Sequence, residues 1–323
     1  MDGTILRQSA IKAPTASRNF VTLTLLVTWS LVRSQPGQPF LESDQKRHRA
    51  PRSDLFPRCQ WLRTSAADGV IHMAFYHQIS HIPFGTRLRV LLRGAPSGIL
   101  TRFLSAALEM DRRALETMGQ ALKGPDRPLV ATFATMAMKP GRLAVETDAP
   151  DSNSAGAARG SAEATMRKLA SQGVRTSILR MAPVVHGEGD RNGFTPFLIK
   201  TARKTGVSAY VGDGLNRWPT VHKRDAARLF RLALEKGPAG GAYHSVAEEG
   251  VAFREIAEAI GARLKVPVAS KAPGEAAKQF GYLASFVPAD NPTSSRLTQE
   301  RLGWHPTEPG ILSDLDGADY FKV

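Results

Sequence analysis

The chain has 323 residues, 42% hydrophobic and 22% charged, enough for one large α/β domain or two modest ones. Its single cysteine, Cys59, excludes an internal disulfide framework and a Cys-based zinc site, and its scattered histidines form no HExxH motif, so no metal site is expected. The net charge of +14 is concentrated in residues 1–64, with ten Lys/Arg against four Asp/Glu, and in Arg87, Arg89, Arg93 and Arg102; these stretches hold few aromatics and no nucleic-acid motif, so nucleic acid is not an expected partner.

The first distinctive element is FVTLTLLVTWSLV, Phe20–Val32, a mostly apolar run behind Arg7, Lys12 and Arg18. It is too short to span a bilayer, which takes about 20 residues. No stable membrane span is therefore expected. The run reads as a single β-strand or a poorly ordered tail. A targeting segment, secretory or mitochondrial, is the competing reading, and the lack of any acid between Asp2 and Glu42 suits a mitochondrial one better. The expected compartment is the cytoplasm, with the mitochondrion as the alternative. Ser43–Asp54, charged and containing Pro51, reads as loop.

From Ala66 the texture changes. DGVIHMAF (Asp68–Phe75) predicts a buried strand over Val70–Ala74. LRVLLRGAPSGIL (Leu88–Leu100) is a β-like run followed by Gly94 and Gly98. Their spacing is GxxxG, and the stretch reads instead as an inserted basic loop or helix. Asp111–Gly124 predicts a helix with Leu115, Met118 and Leu122 on one face. A second strand is expected over Leu129–Thr132. Ser161–Gly173 predicts a helix with Ser161 as N-cap and Gly173 just past its end. Arg175–Arg180 is a third strand. The helix after Asp225 carries Ala226, Leu229, Phe230, Ala233 and Leu234 on one face, and Phe253–Pro267 repeats the pattern. Alternating strands and helices imply βαβ units and a mostly parallel sheet.

In such a sheet ligands sit beyond the carboxyl ends of the strands. VIHMAF, ILRMAPVVHGEGD, VGDGLNRWPTVHKRDAARLF and RLGWHPT (Arg301–Thr307) lie in an order that resembles the extended and atypical short-chain dehydrogenases. That superfamily includes the NAD-dependent epimerases and dehydratases. The resemblance covers roughly 66–75 and 111–321. It implies an α/β, Rossmann-like doubly wound parallel sheet with a smaller C-terminal substrate lobe. It implies an NAD(P)-dependent oxidoreductase or epimerase acting on a small hydroxyl- or carbonyl-bearing, sugar-like substrate. NADP is placed ahead of NAD, and a homodimer is compatible with the family. Cofactor contacts are expected at His72, Ala74, Phe75, Thr132, Pro183, Val184 and His186, and substrate contacts at Asn216, Arg217, Trp218 and His222. His222 and Asp225 also read as residues that orient the loop and cap the helix, and Trp218 as a core anchor.

The same comparison shows departures. The family grips pyrophosphate with GxxGxxG after its first strand, and residues 1–64 contain no such sequence. That segment has roughly the length of three βα units and none of their content, as a frame shift or misassigned exon would leave it. The family's Tyr-x-x-x-Lys pair falls near Arg159–Glu163, and no tyrosine lies between Tyr76 and Tyr210. Thr135 and Ser161 remain as candidate catalytic hydroxyls. Activity is therefore expected to be impaired, and a non-catalytic Rossmann-fold protein that binds a ligand or partner is the alternative. A hydrolase is disfavoured, because GAPSG is not a GxSxG elbow. The expected organisation is 1–64 as an atypical segment, poorly ordered or targeting. Residues 65–190 form the Rossmann-like domain, with an insertion near 82–108, and 191–323 the substrate lobe and C-terminal helices.

Overall fold

In the computed structural model, residues 20–23, 30–32, 41–42, 67–73, 75, 79–124, 126–317 and 319–321 are described. The strands are β1 Phe20–Leu23, β2 Ser30–Val32, β3 Leu41–Glu42, β4 Gly69–His72, β5 Pro128–Ala134, β6 Arg175–Met181, β7 Val184–His186, β8 Ser208–Val211, β9 Arg217–His222, β10 Gly241–Ser245, β11 Glu248–Ala252 and β12 Val268–Lys271. The helices are α1 Phe84–Leu92, α2 Ile99–Ala121, α3 Ala157–Gly160, α4 Glu163–Ser171, α5 Phe194–Thr205, α6 Lys223–Lys236, α7 Phe253–Leu264, α8 Ala276–Phe280, α9 Arg296–Leu302 and α10 Ile311–Gly317.

The main sheet runs β3-β2-β1-β4-β5-β6-β10. From β1 to β10 every pairing is parallel. Parallel strands covered on both faces read as continuous apolar runs. In β5, Leu129, Ala131 and Phe133 face the cluster of α2 and α4, with Leu115, Met118 and Met166. Val130 faces the opposite cluster of α6, with Leu229, Phe230 and Trp304. The sheet is thus wound on both sides, as the sequence implies.

The edge beyond β4 departs from that pattern. β1 stands parallel beside β4, but β2 and β3 return antiparallel. The apolar run Phe20–Val32 supplies both β1 and β2. Apart from these strands and β3, residues 1–64, and with them most of the candidate targeting segment, lie outside the described residues, and so does Ala74.

The C-terminal lobe has its own core. Trp218, Phe253, Ile256, Phe280 and Ile311 pack together with Leu198 and Ile199 of α5. Two small sheets serve it, β7-β9-β11 and the parallel pair β8-β12.

Two sequence expectations are corrected, and one stretch read as an inserted basic loop or helix is a helix. The predicted helix Asp111–Gly124 starts earlier, at Ile99, because Phe103 and Ala107 continue the buried face of Asp111, Leu115 and Met118. The β-like run at Leu88 is helical in α1: Val90 is buried against Ile82 and Phe103, a helix-spaced rather than alternating burial. Ser161 does not cap α4. That helix starts at Glu163 behind Ala162, and the Ser161 hydroxyl donates to the Ala158 carbonyl at 2.7 Å. Helix α2 approaches α4 most closely at Gly119, where a Cβ would sit 2.5 Å from Leu169 Cδ2.

Candidate functional site

Strands β4, β5 and β6 end side by side, with His72 opposite Ala131 and Ala134 opposite Met181. Half-buried or exposed residues mark that carboxyl rim: Met73, Phe75, Thr132, Ala134 and Pro183. Beneath it lies a charged cluster. His72 Nε2 is 2.9 Å from Asp111 Oδ1, and both side chains are buried. Arg159 Nη1 donates to Asp111 Oδ2 at 2.7 Å, and Arg159 Nη2 donates to the Thr132 carbonyl. The guanidinium lies 4.2 Å from the centre of the Phe75 ring and 5.5 Å from that of Phe133. Burial pulls the Arg159 pKa down, and Asp111 opposes this. His72, Phe75 and Thr132, three of the expected cofactor contacts, thus converge on Arg159. Sequence reasoning passed over both Arg159 and Asp111. The signal was available for Asp111, which shares the buried helix face of Leu115 and Met118.

Thr135, at the end of β5, is fully buried. Its hydroxyl donates to Asn291 Oδ1 at 2.8 Å, and Asn291 Nδ2 donates back to the Thr135 carbonyl at 3.0 Å. The Asn291 backbone N–H donates to the Arg217 carbonyl at 2.8 Å. Asn291, 156 residues beyond Thr135, therefore joins the end of β5 through its side chain to the start of β9 through its backbone N–H. No local pattern marks Asn291. Ser161 lies elsewhere, in a shallow groove of about 220 Å³ between α2 and α4 with Ser105, Glu109 and Arg112.

The expected substrate residues divide. Trp218 is fully buried, and its Nε1 donates to the Ala289 carbonyl. Asn216 Nδ2 donates to the Val287 carbonyl at 2.7 Å. Both pin the strap 287–291. Arg217 keeps 46% of its side chain exposed, with Nη2 2.7 Å from Asp290 Oδ2. That hydrogen-bonded pairing raises the Arg217 pKa and lowers that of Asp290.

His186 and His222 lie opposite one another on β7 and β9 and face the C-terminal region. His186 Nδ1 is 2.9 Å from Asp314 Oδ2. Val184, beside it on β7, is buried in the lobe core. His222 Nδ1 accepts the Arg224 N–H and caps α6. Gly187, at φ +134°, fits only without a Cβ, which would lie 2.7 Å from His222 Nε2. Asp225 accepts the Thr307 and Glu308 backbone N–H groups, so RLGWHPT folds against the start of α6.

A second buried network supports the rim. Arg180 Nε and Nη2 grip Glu163 at 2.8 Å each, and Nη1 is 3.2 Å from His244 Nε2. Arginine only donates, so His244 Nε2 accepts and Nδ1 donates to the Ser294 carbonyl. Burial, helped by the Arg180 charge, pulls the His244 pKa from 6.5 to about 4. The unfolded chain therefore binds a proton below about 6.5 that the folded chain refuses until about 4. This contribution to stability is full above pH 6.5 and is lost as pH falls towards 4. Burial moves His222 in the same direction. Unfolding in urea at pH 5 should show roughly 2 kcal/mol less stability than at pH 7. Equal stability at the two pH values would contradict a neutral buried His244.

Among the described residues, no group of three or more His, Cys, Asp or Glu could hold a metal ion, and no helix is long and apolar enough to cross a membrane.

No family model matches the chain. Over 256 residues it is 46% identical to the uncharacterized protein C2A9.02 of Schizosaccharomyces pombe, covering 79% of this chain and 78% of that protein. It is 38% identical to the uncharacterized protein YLL056C of Saccharomyces cerevisiae, covering 77% and 76%. Among solved structures, it is similar to the dTDP-glucose 4,6-dehydratase of Streptomyces venezuelae with NAD and TYD bound. There the TM-score is 0.60 and the identity 16%, over 80% of this chain and 76% of that one. It also resembles human epimerase family protein SDR39U1 with NADPH, at TM-score 0.55 and 17% identity, over 79% and 84%.

Proposed function

The chain belongs to one family with these two yeast proteins and carries the extended short-chain dehydrogenase fold, and from that premise we propose that its carboxyl rim is a ligand site of the NAD(P)-dependent oxidoreductase and epimerase kind. The ligand we assign is a small, hydroxyl- or carbonyl-bearing, sugar-like molecule. The observation that carries this reading is the link Thr135–Asn291–Arg217, which joins the strand ends of the sheet to the one expected substrate residue with a half-exposed charge.

The residues present do not fit a dinucleotide at its pyrophosphate end. β1 takes the place of the fold's first strand, but the sequence after it, TLLVTWSLVRSQP, contains no glycine. At the family's tyrosine window stands Arg159, which donates hydrogen bonds and holds positive charge but releases no proton near neutral pH. This observation favours the second reading, a ligand-binding relative without hydride transfer. In either reading Phe75, Thr132 and Pro183 form one wall, with His72 buried beneath it. Arg217 supplies charge opposite it once a competing anion displaces Asp290.

Titration with dTDP-glucose, followed by calorimetry, tests the assignment. Arg217→Ala is expected to weaken binding by about tenfold, the worth of one charge-assisted hydrogen bond. Unchanged affinity in the variant, or no binding to the parent chain at millimolar ligand, counts against the rim as the site.

A further inference from the structure

Nine large hydrophobic side chains are exposed among the described residues, and six of them fall within Phe84–Leu104: Phe84, Leu88, Leu91, Leu92, Leu100 and Leu104. The first four occupy helix positions i, i+4, i+7 and i+8 of α1 and so form one stripe, with Val90 buried on the opposite side. Arg87 and Arg89 flank the stripe, and Arg93 follows at the end of the helix. No Asp or Glu occurs between Asp68 and Glu109.

The hairpin is held as a unit. Arg102 of α2 reaches back, with Nε donating to the Val90 carbonyl at 2.9 Å and both terminal nitrogens donating to the Ala95 carbonyl at 3.1 Å. Val90, Ile82 and Phe103 pack under α1. This leaves Leu88, Leu91 and Leu92 pointing outward from a fixed helix. Arg87 stacks on Phe84 at 5.5 Å from the ring centre.

We infer that α1 and the start of α2 form a peripheral docking surface for an anionic lipid bilayer. An apolar stripe flanked by arginines is the pattern of a helix that lies in the interface plane, its leucines at the acyl boundary and its cations at the headgroups. Charge complementarity selects this occupant. A second copy of the face would set arginines against arginines. Residues 1–64 of the chain, with ten Lys/Arg against four acids, carry the same sign. The stripe is the convex side of a helix rather than a groove, which suits insertion into lipid better than reception of another protein's side chains.

Sedimentation of the full chain with vesicles tests this. One set is phosphatidylcholine alone, and the other contains about one-third phosphatidylserine. The chain is expected to bind the anionic vesicles at least about tenfold more tightly, with binding that weakens as salt rises. Leu88→Glu/Leu92→Glu and, separately, Arg87→Gln/Arg89→Gln are each expected to lower binding by about tenfold or more, with unchanged circular dichroism and melting. Because all four residues lie on the outer side of α1, loss in both well-folded double variants supports the surface. Four results would overturn the inference: no sedimentation with anionic vesicles; both variants binding like the parent, which would move the contact to the basic N-terminal segment; a dimer in light scattering that Leu88→Glu/Leu92→Glu dissolves; or retention on polyglutamate without vesicle binding.

Discussion

Replacing Arg180 with methionine is expected to remove about 3–5 kcal/mol of folding stability, measured from the urea midpoint. The side chain is completely buried. All five of its N–H groups have partners: the two oxygens of Glu163, the carbonyls of Glu146 and Asp148, and His244 Nε2. Methionine fills much of the volume but leaves Glu163 buried, with only the half-exposed Arg167 at 3.5 Å. An uncompensated buried carboxylate is the costly outcome, more than the loss of attraction itself. The second substitution Glu163→Gln should therefore recover a large part of the loss, whereas in isolation it should cost less than Arg180→Met. Arg180→Lys should fall between, because an ammonium cannot reproduce the bidentate fork. Additive effects of the two changes would show that the pair is not a coupled unit. The network also fixes the loop at 146–148 and the start of α9, where Glu146 Oε1 accepts the Thr298 N–H and hydroxyl, so its loss should loosen the rim above it.

NADPH and NADH are expected to bind only at millimolar concentration or weaker. A Rossmann loop supplies several backbone N–H bonds to the pyrophosphate together with the field of a helix N-terminus. Charge-assisted bonds of this kind contribute about 1.5–3 kcal/mol each. Losing two or three weakens binding by about 3–9 kcal/mol, on the order of a hundredfold to a millionfold. Among the described residues nothing after β1 replaces them: the next two strands are antiparallel, and the sequence joining β1 to β2 lacks glycine. The glycines of the α1–α2 turn are no substitute, since a Cβ on Gly98 would meet Arg102 Nη1 at 2.6 Å and that face of the turn is filled. Calorimetry giving a micromolar dissociation constant for either dinucleotide would overturn this expectation.

The sheet was legible because its signals are local. Runs such as PLVATFA and RTSILRM are apolar without alternation, and the amphipathic helices at Lys223–Lys236 and Phe253–Leu264 carry period and stop signals together. The rim was legible only in part. His72, Phe75 and Thr132 were singled out through their place at strand ends. Trp218 and Asn216 were read as substrate contacts from their loop, whereas the partners that bury them lie some seventy residues later, in Val287 and Ala289. Arg159 and Asn291 have no short-range signature, because what defines each is a partner brought close by the parallel crossovers. In sequence, Leu88–Leu100 stays open between an inserted loop and a helix. Its Leu/Val content is compatible with either period, and only Val90, packed under the hairpin, shows that the helix prevails.

Hydrogen–deuterium exchange of the full chain, with and without a saturating sugar nucleotide such as dTDP-glucose, reads out directly whether the carboxyl rim is the ligand site. Slowed exchange is expected in the peptides that cover residues 69–75, 130–138, 181–186 and 214–222, and in the strap 287–293, because the rim residues Phe75, Thr132 and Pro183 lie in the first three and Asn291 ties Thr135 to Arg217. Protection confined to other parts of the chain, or none in these five segments while ligand is bound, would contradict it.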